Sequence, residues 1–283
     1  MKKPGKGYQP ISIDLNKETN EVQRVIALKE NRNKRHRYRQ FVIEGRLALD
    51  EAWKKGWKIH SVFYSREKSL SRWAESHLQR GEYQTAYALT DALMEKISDK
   101  TESSEMLAIV EQPICNFESF EPKSGDVIVV LDEPKSPGNL GMMIRSCVAF
   151  GASAVLISGH GADEFDPQCI RASRGTFFSI PIYRVAGVKA FQQRLEEWKK
   201  KSDLWVIASG NQGSTPLEKA KLNADILFLV LGNETHGISA GYEQLADQFV
   251  QISLGGEFNS LNIAAAGSIF LYEIFRQRKT NLC

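Results

Sequence analysis

Asn139-Leu140-Gly141, with Arg145 four residues beyond the glycine, brings an amide, a position without a Cβ and a guanidinium onto one short stretch. Pro137 and Gly138 stand just before them, as expected where a loop opens a helix. The free N–H groups of such a helix start favour an anionic ligand. Arg145, one to two turns in, can offer its guanidinium to a phosphate or a ribose. The glycine spacing is neither G-x-G-x-x-G nor a phosphate-binding P-loop. Taken alone, the stretch reads equally well as a capped helix with a surface arginine.

Two further stretches carry chemistry. Gly232-Asn233-Glu234, followed by Gly237, ends an apolar run, and glycine at a strand end permits close approach by a ligand or makes a turn. Glu234 at that tip can accept from hydroxyl or amino donors or pair with Arg145. Ser260-Leu261-Asn262 precedes the small residues Ala264, Ala265, Ala266, Gly267 and Ser268, which allow close approach by another backbone or a ligand. Asn259 or Ser260 equally suits a plain helix cap, and Ser239 suits the same role after the second stretch.

Short apolar runs position these loops. Residues 127–131, 154–157, 179–183, 204–208, 226–231 and 249–252 are continuously rather than alternately hydrophobic. That pattern marks strands covered on both faces, hence a parallel sheet with helices on each side. Ligands of such sheets bind beyond the carboxyl ends of the strands. All three loops follow strands.

Upstream, residues 1–20 are polar and read as a flexible tail, and residues 21–112 as a smaller unit alternating helix and strand. Residues 113–125, with proline, glycine and no periodicity, read as a linker to the unit of 126–283. Within the smaller unit, Arg32, Lys34, Arg35, Arg37 and Arg39 form a basic run. Such a run attracts a polyanion, and the flat side chains of His36 and Tyr38 can stack on bases, which makes these residues candidate RNA contacts. The competing reading is a solvated helix face.

The bulk composition excludes other classes. A chain of 283 residues, 42% hydrophobic and 25% charged with net charge +3, builds its core without staples. The scattered cysteines show no metal-ligand spacing, so no metal is expected and the thiols suit a reducing compartment. The N-terminal residues lack the apolar stretch of a secretory signal, and no run is long enough to span a bilayer. A cytoplasmic protein without membrane attachment is expected.

Together and in this order, the three loops resemble the motifs of the SpoU family, ribose 2′-O-methyltransferases of the SPOUT class. Asn139-Leu140-Gly141 with Arg145 matches its first motif, Gly232-Asn233-Glu234 with Gly237 its second, and Ser260-Leu261-Asn262 its third. The segment 171–182, RASRGTFFSIPI, also resembles a family segment, with Thr176 where alanine is usual. Thr235-His236 stands where many members carry smaller residues, and Gly255-Gly256-Glu257-Phe258 is an unusual loop; both bear on target choice more than on chemistry. The N-terminal unit is more loosely similar to the family's ribosomal-protein-like RNA-binding domain.

The resemblance implies an α/β fold: a C-terminal parallel-sheet domain with a trefoil knot, preceded by a smaller α/β RNA-binding domain. It implies S-adenosylmethionine as cofactor, touched by Gly232, Ile252 and Leu261, and a homodimer with the active site near its interface. It places Arg145 nearest the reacting hydroxyl, with Asn139, Glu234, Ser260 and Asn262 completing the catalytic group. Ribosomal RNA is the implied substrate. Transfer RNA, or a non-catalytic RNA-binding role on the same fold, are the alternatives.

Overall fold

The computed structural model describes residues 11–210, 214–233, 235–256 and 261–280. In chain order, β1 (Ile11–Leu15), α1 (Asn20–Glu30), α2 (Arg32–Tyr38), β2 (Gln40–Glu44) and α3 (Arg46–Lys54) come first. They are followed by β3 (Ile59–Ser65), α4 (Arg72–Arg80), β4 (Thr85–Leu89), α5 (Asp91–Ile97) and β5 (Met106–Glu111). Then come β6 (Val127–Asp132), α6 (Pro137–Ala149), β7 (Ala154–Ser158), α7 (Pro167–Ala172) and β8 (Ile182–Val185). The chain closes with α8 (Val188–Lys199), β9 (Leu204–Ser209), β10 (Thr215–Pro216), β11 (Ile226–Leu231), α9 (Ala240–Glu243), β12 (Gln248–Gln251) and α10 (Ile263–Thr280).

These elements form two compact units. One comprises the chain up to Pro113 together with Phe165–Phe178, the other Ile114–Glu164 and everything from Ser179 onward. The first holds a mixed five-stranded sheet in the order β1-β4-β3-β5-β2. Parallel pairing joins β1, β4 and β3, whereas β5 runs antiparallel to both β3 and β2. Val22, Val25 and Leu28, three residues apart, give α1 one apolar face, and all three are buried in this unit's core.

Three expectations change here. Residues 11–15, expected in the flexible tail, form edge strand β1. In the expected linker, Phe117–Ser119 forms a 3-10 turn, and Phe117 and Phe120 are buried in the core of the second unit. The segment Phe165–Phe178, expected in the catalytic domain, packs with the first unit. Phe165 lies 5.0 Å and Phe177 5.9 Å from Phe41, ring to ring, and Trp57 Nε1 donates to Phe178 O at 3.3 Å.

The second unit is a seven-stranded sheet, β10-β12-β9-β11-β6-β7-β8, with every pair parallel. Every residue of β6, β7 and β11 is buried, which explains their unbroken apolar sequence. The strand expected at 179–183 is Ile182–Val185 instead, because Thr176–Ser179 is wound into a 3-10 turn. Pro137 sits in the first turn of α6, whose N-cap Ser136 accepts from Asn139 N at 3.3 Å.

Candidate functional site

In the second unit an open cleft of about 1070 Å³ lies beyond the carboxyl ends of the adjacent strands β12, β9 and β11. Ser209 and Gly210 enter it after β9, Gly232 and Asn233 after β11, and Ile252 and Leu254 after β12. Leu261, Asn262 and Ile263 close it from the start of α10.

The loop after β11 is held by its own polar groups. Asn233 and Gly237 exchange both backbone hydrogen bonds, N to O at 3.0 and 3.1 Å. The Asn233 side-chain oxygen accepts from Thr235 N at 2.9 Å and His236 N at 2.8 Å. Gly237 turns the chain with a φ of +70°. The returning backbone passes so close over Gly232 that a Cβ there would overlap Gly237 and Ile238 main-chain atoms. Glycine at 232 is therefore a steric requirement of the fold-back. The buried Asp132, at the end of β6, accepts from Ser239 N at 2.8 Å and ties the far end of this loop to the neighbouring strand.

The start of α10 is tied to α6. Asn262 Oδ1 accepts from Ala264 N at 2.9 Å, capping α10, and this fixes which way the amide points. Asn262 Nδ2 then donates to Asn139 Oδ1 at 3.0 Å. Further along, the Ser146 and Ser268 hydroxyls are 2.6 Å apart. A Cβ at Gly267 would overlap the Met143 thioether, so the small-residue stretch serves close packing of α10 on α6. Cys147 on α6 is fully buried, and desolvation pushes its thiol well above the ordinary range, which removes it as a nucleophile.

Of the residues singled out from the sequence, Gly232, Ile252, Leu261 and Asn262 line one cleft, and Asn139 is bonded to Asn262. Arg145 is exposed on α6, the helix that carries Asn139, and is not part of the cleft lining. Glu234 and Ser260 lie outside the described residues. The sequence reading placed none of Ser209, Gly210, His236, Glu243 and Phe249 in the site; all five line the cleft. Gly210, one residue past Ser209 at the end of the apolar run 204–208, was the available signal for the β9 end. Nothing in the local pattern marks Glu243. Phe249, Leu254 and Leu261 are 36%, 40% and 42% exposed, so large apolar side chains are held open around the cleft.

In the first unit the basic run forms α2, with Asn31 as its side-chain cap and Arg39, at φ +52°, ending it. Arg32, Arg37 and Arg39 are exposed and Lys34 is half-buried. Tyr38, 42% exposed, has the Arg24 guanidinium 5.1 Å from its ring centre. Arg35 is a correction: it is 2% exposed and faces inward. Its guanidinium donates to Leu28 O and Lys29 O, both at 2.9 Å, and meets Asp166 at 3.3 Å. Those carbonyls end α1, so Arg35 satisfies a helix terminus instead of meeting a phosphate.

Among the described residues no helix is long and apolar enough to cross a membrane, and no group of three or more His, Cys, Asp or Glu side chains could hold a metal.

The model described as the SpoU rRNA Methylase family matches residues 126–272, and that described as the SpoU L30e-like domain matches residues 20–108. The 23S rRNA (uridine(2479)-2'-O)-methyltransferase of Streptomyces viridochromogenes is 33% identical over 89% of this chain and 88% of its own. The 23S rRNA (guanosine(2553)-2'-O)-methyltransferase of Bacillus subtilis is 26% identical over 83% of this chain and 88% of its own. Among solved structures, the SpoU methyltransferase AviRb from Streptomyces viridochromogenes in complex with AdoMet superposes with a TM-score of 0.87 at 31% identity. That superposition covers 93% of this chain and 99% of that one.

Proposed function

The chain belongs to the SpoU rRNA methylase family, and from that premise we propose that it transfers a methyl group from S-adenosylmethionine to a ribose 2′-hydroxyl of ribosomal RNA. The observation that carries this reading is the cleft itself. It gathers five of the motif residues, Gly232, Asn233, Gly237, Leu261 and Asn262, and Asn262 is bonded to Asn139 of the remaining motif.

The cleft's donor set fits the cofactor. Ile252, Leu254, Leu261 and Phe249 offer apolar surface for a purine, and Glu243, Asn233 and Ser209 offer polar groups for hydroxyl and amino functions. Gly232, Ile252 and Leu261 are the residues proposed to hold it, largely through backbone groups. When bound, S-adenosylmethionine supplies a methyl carbon on a positively charged sulfur, so the leaving group needs no activation.

Activation of the weakly acidic 2′-hydroxyl falls to the chain's own residues. A guanidinium spreads its charge over three nitrogens, holds its proton tightly and makes a poor base. Arg145 therefore acts by positioning the ribose and stabilising charge that develops on the attacking oxygen, working with the adjacent phosphate. Asn139 and Asn262 hold the starts of α6 and α10 in fixed relation, which keeps the acceptor in line with the methyl carbon. Glu234 and Ser260 complete the catalytic group by family motif.

Arg32, Lys34, Arg37 and Arg39 are the proposed phosphate contacts of the first unit. A homodimer is supported by the apolar face on the packed helices α6 and α10, where Met142, Ile269 and Tyr272 are 48%, 40% and 53% exposed. The knot of the family fold and a cytoplasmic location belong to the same reading.

The test is a calorimetric titration with S-adenosylmethionine, followed by mapping of methylated riboses after reaction with 23S rRNA and, separately, transfer RNA. Cofactor binding with a methylated ribose in 23S rRNA is expected. A methyl group on a base, methylation of transfer RNA alone, or no cofactor binding would overturn it.

A further inference from the structure

The segment 171–175, R-A-S-R-G, is not used by the chemistry above, and the structure assigns it a place in the first unit. There it borders a second cavity of about 250 Å³, separate from the cleft. Val42, Ala48 and Ile170, at 4%, 9% and 3% exposure, form an apolar floor with Pro167. Leu47, 48% exposed, stands at the mouth. Four cations line the same cavity: Arg46, Lys100, Arg171 and Arg174.

The two acids of the lining have partners of their own. Glu44 accepts from Ser98 Oγ at 2.6 Å and Asp99 N at 2.9 Å, and Asp99 pairs with Lys29 at 2.8 Å. The Arg46–Asp50 pair is loose, at 3.5 Å with Arg46 71% exposed. Positive charge therefore exceeds negative charge at the rim, and the uncapped start of α3 at Gly45 adds to it. Backbone shape fits the arrangement. Gly175, at φ +86°, lets the turn lie against α3, where a Cβ would come 3.3 Å from Leu47 O and 3.1 Å from Glu51 Cγ.

An apolar floor under a cationic rim matches a nucleotide, a flat base below and a charged phosphate above. We propose that this cavity takes one unpaired nucleotide of the RNA substrate, distinct from the methylated one. Its base rests on Val42, Ala48, Leu47 and Ile170, and its phosphates meet Arg46, Arg171, Arg174 and Lys100. The inference rests on the RNA-methylating reading and deepens it, because it provides a second anchor that selects single-stranded RNA.

The test uses the full chain and a 23S rRNA transcript, with affinity measured at several salt concentrations. Arg171→Gln/Arg174→Gln removes two phosphate contacts. At about 0.7 per contact, the slope of log affinity against log salt should flatten by about 1.4. With the electrostatic contribution referred to 1 M salt, that corresponds to about 14-fold weaker binding at 0.15 M. Leu47→Glu tests the base site from an exposed position that folding does not depend on, and it too should weaken binding while S-adenosylmethionine affinity stays unchanged. Wild-type affinity and slope in both variants overturn the inference. Loss in the arginine variant alone overturns the base site, leaving only surface phosphate contacts. A wild-type chain that neither binds nor methylates the transcript overturns the proposed function, and this inference with it.

Discussion

Replacing Arg35 by Gln should destabilise the first unit while Arg37→Gln, two residues away, should leave it stable. Arg35 reaches the Leu28 and Lys29 carbonyls at 2.9 Å, and Leu28 is fully buried. Hydrogen bonds from a charged donor contribute about 1.5–3 kcal/mol each. The Asp166 contact, at 3.3 Å with that carboxylate 27% exposed, adds under about 1 kcal/mol. Gln can replace one of the two carbonyl bonds at best and leaves the other carbonyl unmet, so a loss of about 3–5 kcal/mol is expected. At roughly 3–5 °C per kcal/mol for a unit of this size, the melting transition falls by about 9–25 °C. Arg37 is exposed, and its substitution should stay within about 0.5 kcal/mol. Thermal melts followed by circular dichroism, paired with hydrogen exchange at α1, provide the comparison. An Arg35→Gln chain that melts within 2–3 °C of wild type, on the same scale, and loses RNA affinity as Arg37→Gln does would return Arg35 to the phosphate surface.

Other outcomes follow from the same geometry. Arg145→Ala should lower the single-turnover methyl-transfer rate by about 10²–10³-fold, the cost of one oxyanion-stabilising group, with S-adenosylmethionine affinity nearly unchanged; a mutant that keeps most of its rate removes Arg145 from that role. Asn262→Asp should keep the α10 cap and hence the melting temperature, because Oδ1 still accepts from Ala264 N, whereas Asn262→Ala should lose about 1 kcal/mol. Both should slow methyl transfer through loss of the Asn139 bond, and equal destabilisation of the two would show that the cap is not the source. Changing Arg32, Lys34, Arg37 and Arg39 to Gln should flatten the salt slope of RNA binding by up to about 2.8, at about 0.7 per contact, whereas a merely solvated face predicts parallel lines of equal affinity. Sedimentation should give a dimer that Tyr272→Glu, in the exposed face of α10, dissociates; a wild-type monomer that remains active refutes the interface.

The parallel sheet was legible because its inner strands carry unbroken apolar runs, which few other contexts require. Two strands of the other sheet were not. β1 is an edge strand with Asp14 in it and Ile13 38% exposed, and an edge needs no continuous apolar run. β4, Thr-Ala-Tyr-Ala-Leu, places alanine at two of its three buried positions, and alanine carries little strand signal. The loop residues Gly232 and Asn262 could be singled out because a glycine at a strand end and an amide at a helix start have local signatures. Arg35 shows the limit. A run of basic residues reveals charge but not direction, and what turns Arg35 inward includes Asp166, 131 residues away. The membership of Phe165–Phe178 was invisible for the same reason, since ring contacts with Phe41 and Trp57 leave no mark on local periodicity.

That segment has a consequence for anyone who would cut the molecule. The chain passes between its two units at 113/114, again at 164/165 and back at 178/179. A fragment ended at Pro113 would leave behind the rings of Phe165, Phe177 and Phe178, baring Phe41, which is fully enclosed in the intact chain. Such a fragment would present a sticky aromatic face and self-associate, so its failure to behave as a free RNA-binding module would say nothing about recognition. Transplanting the unit onto a different methylating domain requires carrying residues 165–178 along as a second graft. The two halves are thus stitched into one heritable block, in which neither unit can be exchanged whole by a single crossover.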